Sequence, residues 1–361
     1  MKKFSLLVFA LVFSSCLYAQ DYYALVRLGK SWGYIDKKGS YVINPQYAGA
    51  KSFHNGLARV LQFGSWGFID SKGTLVINPQ FDDAEDFSDG LARVRKFKQW
   101  GYVDKTGVFA INPQFDDAED FSNGFARVRK GMQWGIIDKK GTYVVNPQFD
   151  LVGEFHEGLA KAFKGKQWGY IDKTGSWIIN PQFDNAEDFS GGLARVRKGM
   201  SWGFVDKTGT YIINPQFEGV GDFYEGLARA KKMKQWGYID KKGTWVVNPQ
   251  FDLAEDFSGG LARVNKFKEW GYIDNKGSYV INPQFGDASD FVDDMALVRK
   301  GPQWGYIDKK GTYLINPQFD AAKPFENGLA RVRKGPKWGY IDKKGTIVIN
   351  MQFDNAEDFS N

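Results

Sequence analysis

The sequence predicts an all-β repeat array, and three observations carry that prediction. A Trp-Gly pair recurs at Trp32, Trp66, Trp100, Trp134, Trp168, Trp202, Trp236, Trp270, Trp304 and Trp338, each 34 residues after the last. Within each interval three short apolar runs alternate with turn residues, the pattern of a β-meander. Phased from Asp21, ten such units run to Ser360 with no linker between them. Periodicity of this kind marks architectures in which a unit too small to bury its own apolar face stacks on its neighbours.

The N-terminus reads as an export signal. Lys2 and Lys3 precede an apolar run from Phe4 to Phe13, and small or polar residues follow to Ala19-Gln20. Residues 1–20 are therefore expected to be removed, which places the mature protein in the periplasm, on the cell surface or in the medium. The apolar run falls short of the roughly 20 residues that a membrane-spanning helix needs, and no later segment comes near it. Processing can follow two routes, cleavage after Ala19 or lipid attachment at Cys16. Phe13, standing where a lipobox has Leu, Val or Ile, and the early strand-like run from Tyr22 to Val26 favour the first. Cys16 is the sole cysteine, so no disulfide forms within the chain and burial must supply its stability. The two lysines leave with the signal, lowering the formal net charge from +6 to +4, too mild an excess for a nucleic-acid footprint.

The remaining chain, 21–361, divides into units 21–54, 55–88, 89–122, 123–156, 157–190, 191–224, 225–258, 259–292, 293–326 and 327–360. Unit 191–224 illustrates the elements in order. Leu193 to Arg197 alternates apolar and basic residues, so one side should be buried and the arginines should face water. Trp202 to Asp206 carries Trp202 and Phe204 on one side and Val205 on the other, as a strand buried on both faces would. Asp206-Lys207-Thr208-Gly209 reads as a tight turn, with the Asp side chain accepting local amide bonds and Gly209 free to take positive φ. The third strand, Thr210 to Asn214, should stop where Pro215 removes a donor. Gly203 implies the close approach of an indole or a strand of a neighbouring unit. The recurring Phe at the end of each unit, in an Ala-x-x-Phe spacing, suits one helical or 3₁₀ turn laid over the sheet.

Trp-Gly-Tyr-Ile-Asp-Lys-Lys-Gly at 304–311, followed by Ile-Asn-Pro-Gln-Phe at 315–319, resembles the WG-repeat family of bacterial exported proteins, also called KWG repeats. The resemblance spans essentially the whole mature chain. It implies a β-rich tandem array to which no activity is generally assigned. Departures are local: Met351 replaces the usual Pro in the last unit, Met295-Ala296-Leu297 replaces Leu-Ala-Arg in the ninth, and the first has Tyr23-Ala24-Leu25. Ten three-stranded units favour an open solenoid or superhelix. The alternative is a closed, propeller-like ring, which typically has 4–8 blades of four strands.

The ten periodic tryptophans are expected in the repeat core, since their strand reads as buried on both faces. Trp177 and Trp245 occupy a position that elsewhere holds Tyr143, Tyr211, Tyr279 and Tyr313, or in the other units Tyr41, Leu75, Phe109 and Ile347. That variability makes Trp177, Trp245 and the four tyrosines candidates for a contact surface, with packing between repeats as the competing role. Basic residues such as Arg127, Arg129 and Lys130, and acidic ones such as Asp116, Asp117, Glu119 and Asp120, should form two charged stripes. These either bind a partner or pair between neighbours. The acidic run at Asp82-Asp83-Ala84-Glu85-Asp86 lacks the ligand ladder of a calcium loop. His54 and His156 have no partner that spacing identifies, and neither zinc clusters nor phosphate-binding glycine loops are present. No enzyme, cofactor or metal is expected. The expectation is an exported scaffold that binds a macromolecule, a protein first, along its repeat surface. The alternatives are a cell-wall glycan binder and a structural spacer.

Overall fold

The computed structural model describes residues 22–361. The expected export signal, with Cys16, lies outside the described residues. Each repeat builds three strands of its own and a fourth that it donates to the sheet of the next. Thus Ala194–Lys198, Ser201–Val205 and Tyr211–Phe217 form a meander, and Asn185–Ala186 of the preceding repeat pairs antiparallel along the free edge of Ala194–Lys198. Ten four-stranded blades result, in place of the expected three-stranded units. The fourth strand is a two-residue ladder in eight of the ten blades, which is why no strand-length apolar run announced it.

The expected helical turn is extended chain. Asp83–Ser88 is a six-residue strand, and both Ala84 and Phe87 are buried. Strict alternation would place residues three apart on opposite faces. A bulge between Ala84 and Phe87 in the pairing with Leu91–Lys96 turns both to the core.

The last repeat has no successor to receive its fourth strand. Asn355–Ser360 instead pairs with the first strand, Tyr23–Leu28, in a register that sets Tyr23 opposite Ser360 and Arg27 opposite Asn355. The open solenoid is thereby overturned: the chain closes as a ten-bladed β-propeller. Strand donation leaves the first blade one strand short and the last repeat with one to spare, so closure covers two unpaired edges at once.

The third strand also differs from expectation, running through its proline to Phe217. It is the edge strand, so the donor that Pro215 lacks is not missed. Trp202 pairs with Phe217 and Phe204 with Ile213, leaving Asn214-Pro215-Gln216 to bow out opposite the single Gly203. A Cβ on Gly203 would lie 2.7 Å from the Pro215 nitrogen. The body that approaches the glycine is therefore the third strand of its own blade, neither an indole nor a neighbouring unit.

No blade holds a core of its own. The buried side chains fall into ten clusters, each shared by two adjacent blades. Phe204, Ile213 and Phe217 of one blade meet Val220, Ala228, Ala230 and Ile239 of the next. Val205 faces the other way, into the cluster shared with the preceding blade, so the second strand is buried on both faces. The closing cluster joins Ala24, Val26 and Ile35 to Tyr340, Ile349, Phe353, Ala356 and Phe359.

Candidate binding surface

The antiparallel strands give the ring two rims. Tips between first and second strands lie on one; turns between second and third strands, with those entering the first strand, lie on the other.

The second rim carries an aspartate in every turn between second and third strands, from Asp36 to Asp342. Asp206 Oδ1 accepts from the Thr208 and Thr210 amides at 2.9 and 3.0 Å, with Gly209 at φ 87°. The Thr208 hydroxyl holds the Asp206 carboxyl below the usual carboxylate range. Between blades, Lys139 pairs with Asp89 at 3.3 Å and Lys207 with Glu157 at 3.1 Å, while Lys343 meets Asp293 at 3.0 Å.

The arginines of the first strand, expected to face water, turn toward the next blade. Arg195 Nε and Nη2 donate to Asp222 at 2.7 and 3.1 Å, and Nη1 donates to the Val220 carbonyl at 3.1 Å. Equivalent ion pairs join Arg59 to Asp86 (2.7 Å), Arg93 to Asp120 (3.2 Å), Arg263 to Asp290 (2.6 Å) and Arg331 to Asp358 (2.9 Å). Where the arginine is missing the acid is missing too: Leu25 is matched by Ser52, and Leu297 by Pro324. Burial pushes the carboxyls of Asp120 and Asp358 up, against the pull of Arg93 and Arg331. The expected stripes are thus paired between neighbours. Arg129 meets Asp117 at 3.5 Å, Lys130 donates to the Gln114 carbonyl at 2.5 Å, and Asp116 accepts from the Gly131 amide at 2.6 Å. Arg127 reaches the Val152 carbonyl at 3.1 Å, and Glu119 lies 3.9 Å from Arg93.

The ten periodic tryptophans sit half-buried, one at the margin of each core cluster. A guanidinium commonly covers the ring, as Arg93 does at 4.7 Å over Trp100. Trp177 and Trp245 lie edge-on against Phe149 and Phe217 of the preceding blade, at 5.3 and 5.5 Å. Tyr143, Tyr211, Tyr279 and Tyr313 make the same contact with Phe115, Phe183, Phe251 and Phe285. His54 and His156 lie 3.6 and 3.7 Å from Asp86 and Asp188. Among the described residues no group of three or more His, Cys, Asp or Glu side chains could hold a metal ion.

What sequence reasoning missed is the first rim. The tip of each first hairpin is a two-residue turn, and six carry a large apolar side chain: Phe63, Phe97, Met132, Met200, Met233 and Phe267, between 81% and 96% exposed. They belong to blades two to four and six to eight. Four of them, Phe63, Phe97, Met233 and Phe267, hold φ between 51° and 55°, a left-handed conformation that glycine or asparagine adopts more readily. Lys266, Phe267, Glu269, Tyr279 and Pro283 line an open groove of about 290 Å³ at one such tip. The signal was available, as an apolar residue recurring where a hairpin turn should be polar.

Among solved structures the chain is similar to the crystal structure of a eukaryotic initiation factor, with 9% identity, a TM-score of 0.56, and coverage of 94% of this chain and 98% of that one. Kluyveromyces lactis Hsv2p also matches, at 10% identity and a TM-score of 0.39, over 67% of this chain and 98% of that one. The dihydro-heme d1 dehydrogenase NirN in complex with DHE matches at 11% identity and 0.41, over 94% and 75%. The first likeness is one of fold alone, and the other two are too weak to argue from. No curated protein matches. The WG containing repeat, by contrast, matches ten times, at residues 32–62, 66–96, 100–131, 134–167, 168–199, 202–232, 236–266, 270–301, 304–338 and 338–361. With these matches covering most of the sequence, the chain belongs to the WG containing repeat family.

Proposed function

We propose that the protein is an exported, non-catalytic ring that docks its tip rim on the surface of a large partner. The observation that carries this reading is the set of six water-exposed Phe and Met side chains at the two tip positions of the first hairpin. Scattered exposed apolar residues are ordinary on protein surfaces; a row fixed to one rim is not. Near-identical blades suit a contact divided into many weak and equivalent points, whose joint strength far exceeds that of any one. Catalysis calls instead for a constellation that occurs once. A glycan reading needs free indole faces at Trp177 and Trp245, and both are packed against the preceding blade.

The test is co-sedimentation of the purified mature protein with isolated cell envelopes. A variant with Asn at 63, 97, 233 and 267 and Ser at 132 and 200 should lose about tenfold or more of its retention, given the multivalent contact. Equal retention of the variant and the native ring would overturn the reading.

A further inference from the structure

Resting on the tip-rim reading above, we propose that the partner surface is an anionic lipid membrane, which the ring meets as a peripheral protein. The ten tip pairs contain Phe, Met, Gly, Pro and Lys, and no acid at either position. The residue before the pair is Lys in eight repeats. At the second tip position Lys30, Lys98, Lys166, Lys234 and Lys268 are exposed and make no ion pair among the described residues. The opposite rim differs in carrying an aspartate in every turn between second and third strands, from Asp36 to Asp342, and there Lys139, Lys207 and Lys343 pair with carboxylates between blades. Four acids near the tips are turned onto the tip backbone: Asp116, Asp184 and Asp320 each accept from a tip amide at 2.6 Å, and Asp252 accepts from the Phe267 amide at 2.9 Å. Glu269, beside the Phe267 tip, is the one acid at a tip flank.

Geometry selects the partner's shape. Equivalent tips on a closed ring lie on one rim, one blade apart, so their side chains cannot share a single pocket. They can all meet a broad surface. A bilayer interface accepts Phe and Met among its acyl ends while its phosphates attract the flanking ammonium groups. A second copy docked rim to rim would instead set lysine against lysine. The left-handed conformation of four bulky tip residues adds an independent sign, because such backbone strain persists where a side chain is needed at that point.

The experiment is flotation of the mature protein with vesicles of phosphatidylcholine alone or mixed with phosphatidylglycerol. Binding to the mixed vesicles should be about tenfold tighter or more and should weaken as salt rises from about 0.1 to about 0.5 M. The Asn/Ser tip variant should lose about tenfold in binding while melting no lower than the native protein, since Asn suits the first position of these turns. A second variant, with Lys30→Gln, Lys98→Gln, Lys166→Gln, Lys234→Gln and Lys268→Gln, should show a weakened preference for phosphatidylglycerol, and an unchanged preference would overturn the proposal. Failure of the native ring to bind mixed vesicles, or undiminished binding by the tip variant, overturns the proposal. If vesicles are ignored while the tip variant still loses envelope retention, the lipid inference falls and the rim reading stands, with a protein or a second copy as partner. If envelope retention is also unchanged, both fall.

Discussion

Seven tyrosines show how single residues tie blade to blade. Tyr34, Tyr102, Tyr170, Tyr238, Tyr272, Tyr306 and Tyr340 each donate a hydroxyl hydrogen bond to a backbone carbonyl 17 residues on, as Tyr170 does to Glu187 at 2.6 Å and Tyr238 to Glu255 at 2.7 Å. Burial pushes all seven phenols well above their ordinary range. A group whose folded pKa is raised contributes stability that is whole below its unfolded value, about 10 for tyrosine, and is lost as pH climbs beyond it. Each unit above that costs about 1.4 kcal/mol per tyrosine, so seven together lose roughly 10 kcal/mol, comparable to the whole stability of an ordinary domain. The ring should therefore unfold cooperatively between about pH 11 and 12, phenolate absorbance and loss of near-ultraviolet dichroism rising together. Phenolate accounting for all the tyrosines and appearing gradually from about pH 10 with dichroism intact would show that the seven hydroxyls are accessible. That an aromatic second strand is buried on both faces was legible in Trp202-Gly203-Phe204-Val205. The inward turn of Arg195 was not, because alternation within one strand says nothing of a neighbouring blade that covers its polar side.

Among elements, the first strand and the donated fourth strand of the next blade form the joint that repeats around the ring. Its polar lock is the fork of Arg195 on Asp222 and the Val220 carbonyl, with the two side chains 23% and 25% exposed. Replacing Arg195 by Leu leaves a largely covered carboxylate without its partner and should cost about 1–3 kcal/mol. Adding Asp222→Ser copies the Leu25 and Ser52 combination already present in the first repeat. The double variant should recover most of that loss, a coupling of about 1 kcal/mol or more in a denaturant-melt cycle. Simple additivity of the two losses would mean that the matched absences at Leu25 and Leu297 have another origin. Spacing could not reveal this joint, since Arg195 and Asp222 stand 27 residues apart and no local pattern links them. The tips were overlooked for the opposite reason: Phe97-Lys98 lies in a stretch short enough to pass as connection, and its exposure is visible only once the hairpin is built.

At the scale of the molecule, the sequence disclosed ten all-β repeats leaning on one another, but not their closure. Closure depends on the sum of small rotations between blades and on the meeting of Tyr23–Leu28 with Asn355–Ser360, and the latter has the same sequence as residues 185–190, whose strand passes to the next repeat. The first blade is thus the one joined without a covalent link, and the pairing of Tyr23 with Ser360 brings these two residues to within about 5 Å, the spacing of opposed residues in an antiparallel ladder. A circular permutant follows, with a short Gly-Ser link from Asn361 to Tyr22 and new ends cut between Gly165 and Lys166, at a tip without a large apolar side chain. In a ring this relocates the break and leaves every contact in place, so the permutant should melt within about 5 °C of the native protein. Amide exchange should follow the break: Tyr23–Leu28 should exchange fastest among the equivalent first strands of the native chain, where Asn355–Ser360 can peel away, and should slow in the permutant as Ala160–Lys164 quickens. In an open array the same link would pull together ends ten repeats apart. A permutant that aggregates or melts far below the native protein would then be the expected result, and finding it would break the ring.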